Sequence, residues 1–76
     1  MAIERLHQFL DYPGYSVDVR VEYLTGDRWK IAIRTEKDGA TIDRHDDTIV
    51  APSQEAAFAR TMTLAEQRVK QKNEQP

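Results

Sequence analysis

Between residues 15 and 50 apolar and polar side chains take turns. Val17, Val19, Val21 and Tyr23 alternate with Asp18, Arg20 and Glu22, and Trp29, Ile31 and Ile33 repeat the pattern after a turn. A period of two is that of a strand buried on one side only. Thr25-Gly26-Asp27 reads as a three-residue loop. It sets Leu24 opposite Arg28, Tyr23 opposite Trp29, Val21 opposite Ile31 and Val19 opposite Ile33. On the other face Glu22 meets Lys30, Arg20 meets Ala32 and Asp18 meets Arg34. A slip of one residue puts valines against charges, so pattern and turn select one register.

The second turn, Lys37-Asp38-Gly39-Ala40, contains Asp-Gly, the strongest short hairpin signal. A two-residue loop there pairs Thr35 with Ile42 on the inner face and Arg34 with Asp43 on the outer. Carried further, that register aims Arg44 and Asp46 at the core. A bulge is therefore expected within Arg44-His45-Asp46-Asp47, returning Ile49 to the inner face opposite Trp29. The alternative is a strand that breaks and resumes at Thr48.

The flanks change period. Ile3, Leu6 and Leu10, with Phe9 beside them, lie three and four apart and predict a short helix. Asp11-Tyr12-Pro13-Gly14 stops it. Pro52-Ser53-Gln54-Glu55 opens a second helix, with Ser53 placed to cap it and Glu55 near the positive end of its dipole. Phe58, Met62, Ala65 and Val69 form its apolar stripe, widened by Ala57 and Leu64. Beyond Val69 nothing remains to bury, so fraying is expected.

The expected fold class is α+β: a three-stranded antiparallel meander over about residues 15–50, with a short N-terminal and a longer C-terminal helix packed on one face. Residues 1–70 make a single domain and 71–76 a disordered tail. The expected core is Val17, Val19, Val21, Tyr23, Trp29, Ile31, Ile33, Ile42 and Ile49 under Phe58, Met62, Ala65 and Val69, with Ile3, Leu6, Phe9 and Leu10 closing an end.

Composition narrows the functional classes. Seventy-six residues without a cysteine leave neither disulfides nor a cysteine zinc site, which fits a reducing, cytoplasmic setting. The opening Met1-Ala2-Ile3-Glu4-Arg5-Leu6 lacks the order of a secretory leader. No apolar run approaches the roughly 20 residues of a membrane span. Thirteen acidic and eleven basic side chains give a net charge of −2, which argues against nonspecific duplex binding.

Chemistry-bearing residues are few. His45 with Asp43, Asp46 and Asp47 is the only cluster resembling a metal or acid–base site, and His45, Asp46 and Asp47 are its candidate ligands. A solvated, charged edge strand accounts for the same residues, so no metal and no cofactor is expected. His7 stands beside the apolar stripe of the first helix with no partner placed to make it a base. The glycines fall in separate turns and build no phosphate loop. An enzyme is not expected. The outer sheet face remains, with expected rows Asp18–Arg34–Asp43 and Glu22–Lys30–Asp47, and Arg20–Ala32–His45 between them if the bulge falls after His45. Ala32 among long charged neighbours leaves a shallow depression, so Arg20, Lys30, Ala32 and Arg34 are the candidate binding residues.

In element order the chain resembles a double-stranded-RNA-binding domain over about residues 3–69. That family places lysines at the start of its last helix to grip phosphates and inserts its first strand loop into the minor groove. Here those positions read Ser53-Gln54-Glu55-Ala56-Ala57 and Thr25-Gly26-Asp27. A carboxylate stands where the lysines belong, so the resemblance implies a scaffold and nucleic acid is not the expected partner. In size, lack of cysteine and the Ser53–Ala57 helix start, the chain is also similar to small acidic accessory proteins of phages and mobile elements, the anti-CRISPR and antitoxin types.

The leading expectation is a non-catalytic, protein-binding accessory or regulatory module acting by occlusion, its partner unidentified. A nucleic-acid-binding module and a metal-dependent enzyme at His45 stay open beside it. A homodimer through the edge of the first strand, Arg20 meeting Asp18 or Glu22 of a second copy, is a further expectation.

Overall fold

The computed structural model describes residues 2–74. Over these, four strands, β1 (Ala2–Gln8), β2 (Tyr15–Thr25), β3 (Arg28–Lys37) and β4 (Ala40–Val50), precede one helix, α1 (Gln54–Glu74). The strands form one antiparallel sheet in the order β1-β2-β3-β4. The helix covers one face, over β2 and β3.

This corrects the expected fold class at its N-terminus. Residues 2–8 are a strand, so there are four strands and one helix among the described residues, not three strands and two helices. The physical reason lies at the edge of β2. Without a neighbour there, one side of its backbone would be left unpaired. A single short helix gains little on its own, whereas β1 satisfies that edge from Ala2↔Glu22 to Gln8↔Ser16. The connection is tight: Tyr15 donates its N–H to the Tyr12 carbonyl at 3.1 Å, and Gly14 takes a φ of 85°. The helix–meander–helix order that carried the likeness to double-stranded-RNA-binding domains is therefore not the order of this chain. The expected homodimer edge is also corrected, because the strand through Val17–Tyr23 is paired on both sides.

Between β2 and β3 the register is the expected one, with Val19↔Ile33, Arg20↔Ala32, Val21↔Ile31 and Tyr23↔Trp29. The loop is shorter than expected. Thr25 pairs with Arg28, and the irregularity falls between Tyr23 and Thr25, so Leu24 is not opposite Arg28. At the second turn Asp38 and Gly39 both have positive φ, 51° and 85°, as a two-residue Asp-Gly hairpin requires.

The bulge in β4 comes earlier than expected. It falls at Ile42, between the pairs Glu36↔Thr41 and Thr35↔Asp43, not within residues 44–47. From there Arg34 faces Arg44, Ala32 faces Asp46, Lys30 faces Thr48, and Trp29 meets Ile49 as expected. The early bulge puts Asp43, His45 and Asp47 on the inner face, beyond the main cover of the helix. Asp43 meets that position with an ion pair to Arg68 of α1, Nε to Oδ2 at 2.7 Å.

The core is Tyr15, Val17, Val19, Val21, Ile31 and Ile33 of the sheet against Ala57, Phe58, Ala65 and Val69 of the helix, with Ala51 between. Trp29, Ile49, Ile3, Phe9 and Met62 pack at its margin. Tyr23, Ile42, Leu6 and Leu10 are exposed, contrary to expectation. Each has a local cause: Leu6 falls on the outer side of β1, Ile42 is the bulge, Tyr23 lies near the end of β2 and Leu10 beyond the end of β1. Ser53 caps the helix by accepting from the Ala56 N–H at 3.1 Å. The helix runs through Glu74, past the expected fraying point at Val69. The last two positions of the expected tail lie outside the described residues. No helix among the described residues is long and apolar enough to cross a membrane.

Candidate binding face

Strand alternation and the register together sort the outer face into rows. They read Ala2–Glu22–Lys30–Thr48, Glu4–Arg20–Ala32–Asp46 and Leu6–Asp18–Arg34–Arg44. The β2 and β3 members are those expected from sequence. The β4 member of each row is one residue later than expected, because the bulge precedes the row instead of interrupting it. Asp43, His45 and Asp47 are therefore replaced by Arg44, Asp46 and Thr48.

The four candidate residues come together on this face but differ in freedom. Arg34 is held: its Nη2 lies 2.9 Å from Oδ2 of Asp18, whose side chain is only 17% exposed. The contact is single-pointed and leaves Arg34 Nε and Asp18 Oδ1 buried without a partner, short of the bidentate fork that guanidinium and carboxylate can form. Arg20 is loose, 4.0 Å from Glu4 with both side chains more than half exposed; a pair of this kind contributes little. Lys30 is exposed.

Ala32 lies on the floor between them. Two shallow depressions meet at it. One, of about 210 Å³, is bounded by Glu4, Asp18, Arg20, Arg34, Arg44 and Asp46. The other, of about 230 Å³, is bounded by Arg20, Glu22, Lys30 and Asp46. Both are rimmed by charges of both signs around a methyl group. Such a surface can exchange ion pairs with a complementary one and admit a small apolar side chain at its centre.

The His45 cluster is not assembled. Alternation sends Asp46 to the outer face while His45 and Asp47 take the inner one, where His45 Nε2 stands 3.9 Å from Asp47 Oδ2. Asp43 is engaged by Arg68. Its carboxyl is held below the usual carboxylate range, chiefly by the Arg68 hydrogen bond, with burial opposing and the charges of Arg68 and Lys72 adding to it. Among the described residues no group of three or more histidine or acidic side chains is placed to hold a metal ion. His7 lies on β1, not beside the stripe of a helix, its ring edge-on to Phe9 at 4.7 Å.

One region escaped the sequence reading. Between β1 and α1 runs a groove of about 490 Å³, lined by Arg5, Leu6, His7, Glu55, Phe58 and Met62. The Arg5 guanidinium lies over the Phe58 ring at 4.4 Å, a cation–π contact that covers part of the helix's apolar stripe. The signal was the alternation of Ile3, Arg5 and His7 with Glu4, Leu6 and Gln8. It was hidden because the inner positions carry an arginine and a histidine.

Compared with protein-family models, curated proteins and solved structures, the chain matches none.

Proposed function

We propose that this chain is a non-catalytic, protein-binding module of accessory or regulatory type, occluding a partner's surface with the open face of its sheet. The observation that carries the reading is the Ala32 floor with its rim of Arg20, Lys30, Asp46 and Glu4, on the face that the helix leaves uncovered. Alternating charge of both signs favours a protein surface over a polyanion, because phosphate backbones are gripped by an excess of cations. Charges on such a face set orientation and association rate more than affinity.

The test is Ala32→Arg. The site is on the outer face, away from the core, so folding should change by about 0.5 kcal/mol or less. The added bulk and charge should displace whatever is seated there. Affinity capture from the source cell with wild-type and Ala32→Arg baits, followed by binding measurements on the recovered protein, reads the outcome. A partner that binds both equally well removes the outer face from the proposal.

A further inference from the structure

We infer that β1 is the interface through which two copies of this chain join, edge to edge and antiparallel, about a two-fold axis at Leu6. This does not rest on the outer-face reading.

The first observation is the direction of the backbone groups. Phe9 donates its N–H to the Tyr15 carbonyl at 3.5 Å, and the β1–β2 register is unbroken from there to Ala2↔Glu22. In an antiparallel ladder, backbone groups alternate in direction along the strand. Odd-numbered residues of β1 thus face β2, and Glu4, Leu6 and Gln8 turn their N–H and C=O groups outward. β1 is an edge of the sheet, so this outward row is an unused template for a further strand.

The second observation is self-complementarity. An antiparallel pair on one two-fold axis keeps like faces together, so the register can move only in steps of two. With Leu6 on the axis, Leu6 meets Leu6, Glu4 meets Gln8 and Arg5 meets His7. At the ends, Ile3 falls opposite Phe9 and Ala2 opposite Leu10. Apolar residues meet apolar ones, and the outward groups of Glu4, Leu6 and Gln8 pair with one another. One step to either side sets Arg5 against Arg5 or His7 against His7, and Leu6 against Glu4 or Gln8. Of these three registers, only the one centred on Leu6 sets the leucine against an apolar neighbour. Leu6 is 74% exposed and Leu10 97% exposed in the single chain, the two most exposed large apolar side chains among the described residues.

The opposite edge does not compete. β4 carries Asp43, Arg44, His45, Asp46 and Asp47 in succession and is bent by the bulge at Ile42, two devices that discourage edge pairing. Joining through β1 produces one continuous sheet with both helices on the same face. The groove lined by Arg5, His7, Phe58 and Met62 then faces its symmetry mate across the axis.

The experiment is sedimentation of the full chain at high micromolar concentration, with Leu6→Lys and, as a control on another exposed apolar residue, Val50→Lys. Wild type and Val50→Lys should sediment at twice the monomer mass, and Leu6→Lys at the monomer mass with an unchanged circular dichroism spectrum. Amide hydrogen exchange gives a readout that needs no variant. The Glu4, Leu6 and Gln8 amides should exchange more slowly as wild-type concentration rises, while the Arg5 amide, already paired to β2, stays constant. A wild-type monomer at that concentration overturns the inference. So does a dimer that Leu6→Lys leaves intact, one that Val50→Lys breaks equally, or exchange at the Leu6 amide that does not depend on concentration.

Discussion

The carboxylate of Asp43 lies beside the far half of α1, 2.7 Å from Arg68 Nε and 16% exposed. Because the folded state favours its charged form, the pair contributes stability above the ordinary carboxylate pKa, and that contribution is lost as pH falls through the lowered folded value. Asp43→Asn should therefore cost about 1–2 kcal/mol at neutral pH. The gap in melting temperature between wild type and variant should narrow as pH falls from about 5 toward 2. Thermal melts across that range check both statements, and a gap that widens in acid would contradict the assignment. At this scale the sequence was legible where alternation was clean: every pair from Asp18↔Arg34 to Tyr23↔Trp29 follows from it. Ile42 was not legible. Nothing local explains why an isoleucine should be the bulged residue and an aspartate the inner one. The partner that makes the exchange tolerable, Arg68, lies 25 residues away on the helix.

Among the elements, β1 was the one the sequence concealed. Ile3, Leu6 and Leu10 fit a helix by spacing, yet the residues that face the helix are Ile3, Arg5 and His7. A long cationic side chain can serve on an inner face when its charge lies over an aromatic ring, and Arg5 does so over Phe58. Periodicity counts only apolar residues and misses that solution. The strand assignment has a sharp consequence. Arg5 turns its backbone N–H toward Val19 of β2, so Arg5→Pro removes a ladder hydrogen bond as well as the contact with Phe58. It should cost about 2 kcal/mol, from a ladder hydrogen bond of about 1 kcal/mol and a cation–π contact of similar size. Hydrogen exchange should show fast amides at Val17, Val19 and Val21, which lose their β1 partners, while the β3–β4 hairpin remains protected. Uniform loss of protection would mean that β1 is inseparable from the rest. The C-terminal helix, by contrast, was legible from its Ser53 cap through its apolar stripe, because a cap and a 3.6-residue period are both local signals.

For the whole molecule, the candidate face was legible in its β2 and β3 members and displaced in its β4 members, since one misplaced bulge moves a whole strand past its neighbours. Arg20, Lys30, Ala32 and Arg34 lie where alternation puts them, while Glu4, Arg44 and Asp46 complete the rim only in three dimensions. The order β1-β2-β3-β4 has another consequence, for the route by which the chain finds its fold. Every strand pairs with its neighbour along the chain, and two of the three connections are tight hairpin turns. Contact order is therefore low for a sheet protein, and little loop-closure entropy must be spent before pairing begins. Folding should be single-exponential and finish within milliseconds, faster than for sandwiches that pair distant strands. Stopped-flow fluorescence of Trp29, which hydrogen-bonds the Ala51 carbonyl at 3.0 Å at the entry to the helix, follows strand closure and helix docking together. A phase lasting seconds would show that docking the helix, and not zipping the meander, limits the rate. On the expected course the edges of β2 and β3, which end inside the sheet, stand unpaired only briefly in each folding event, which limits the time in which a nascent chain can pair wrongly with another through them.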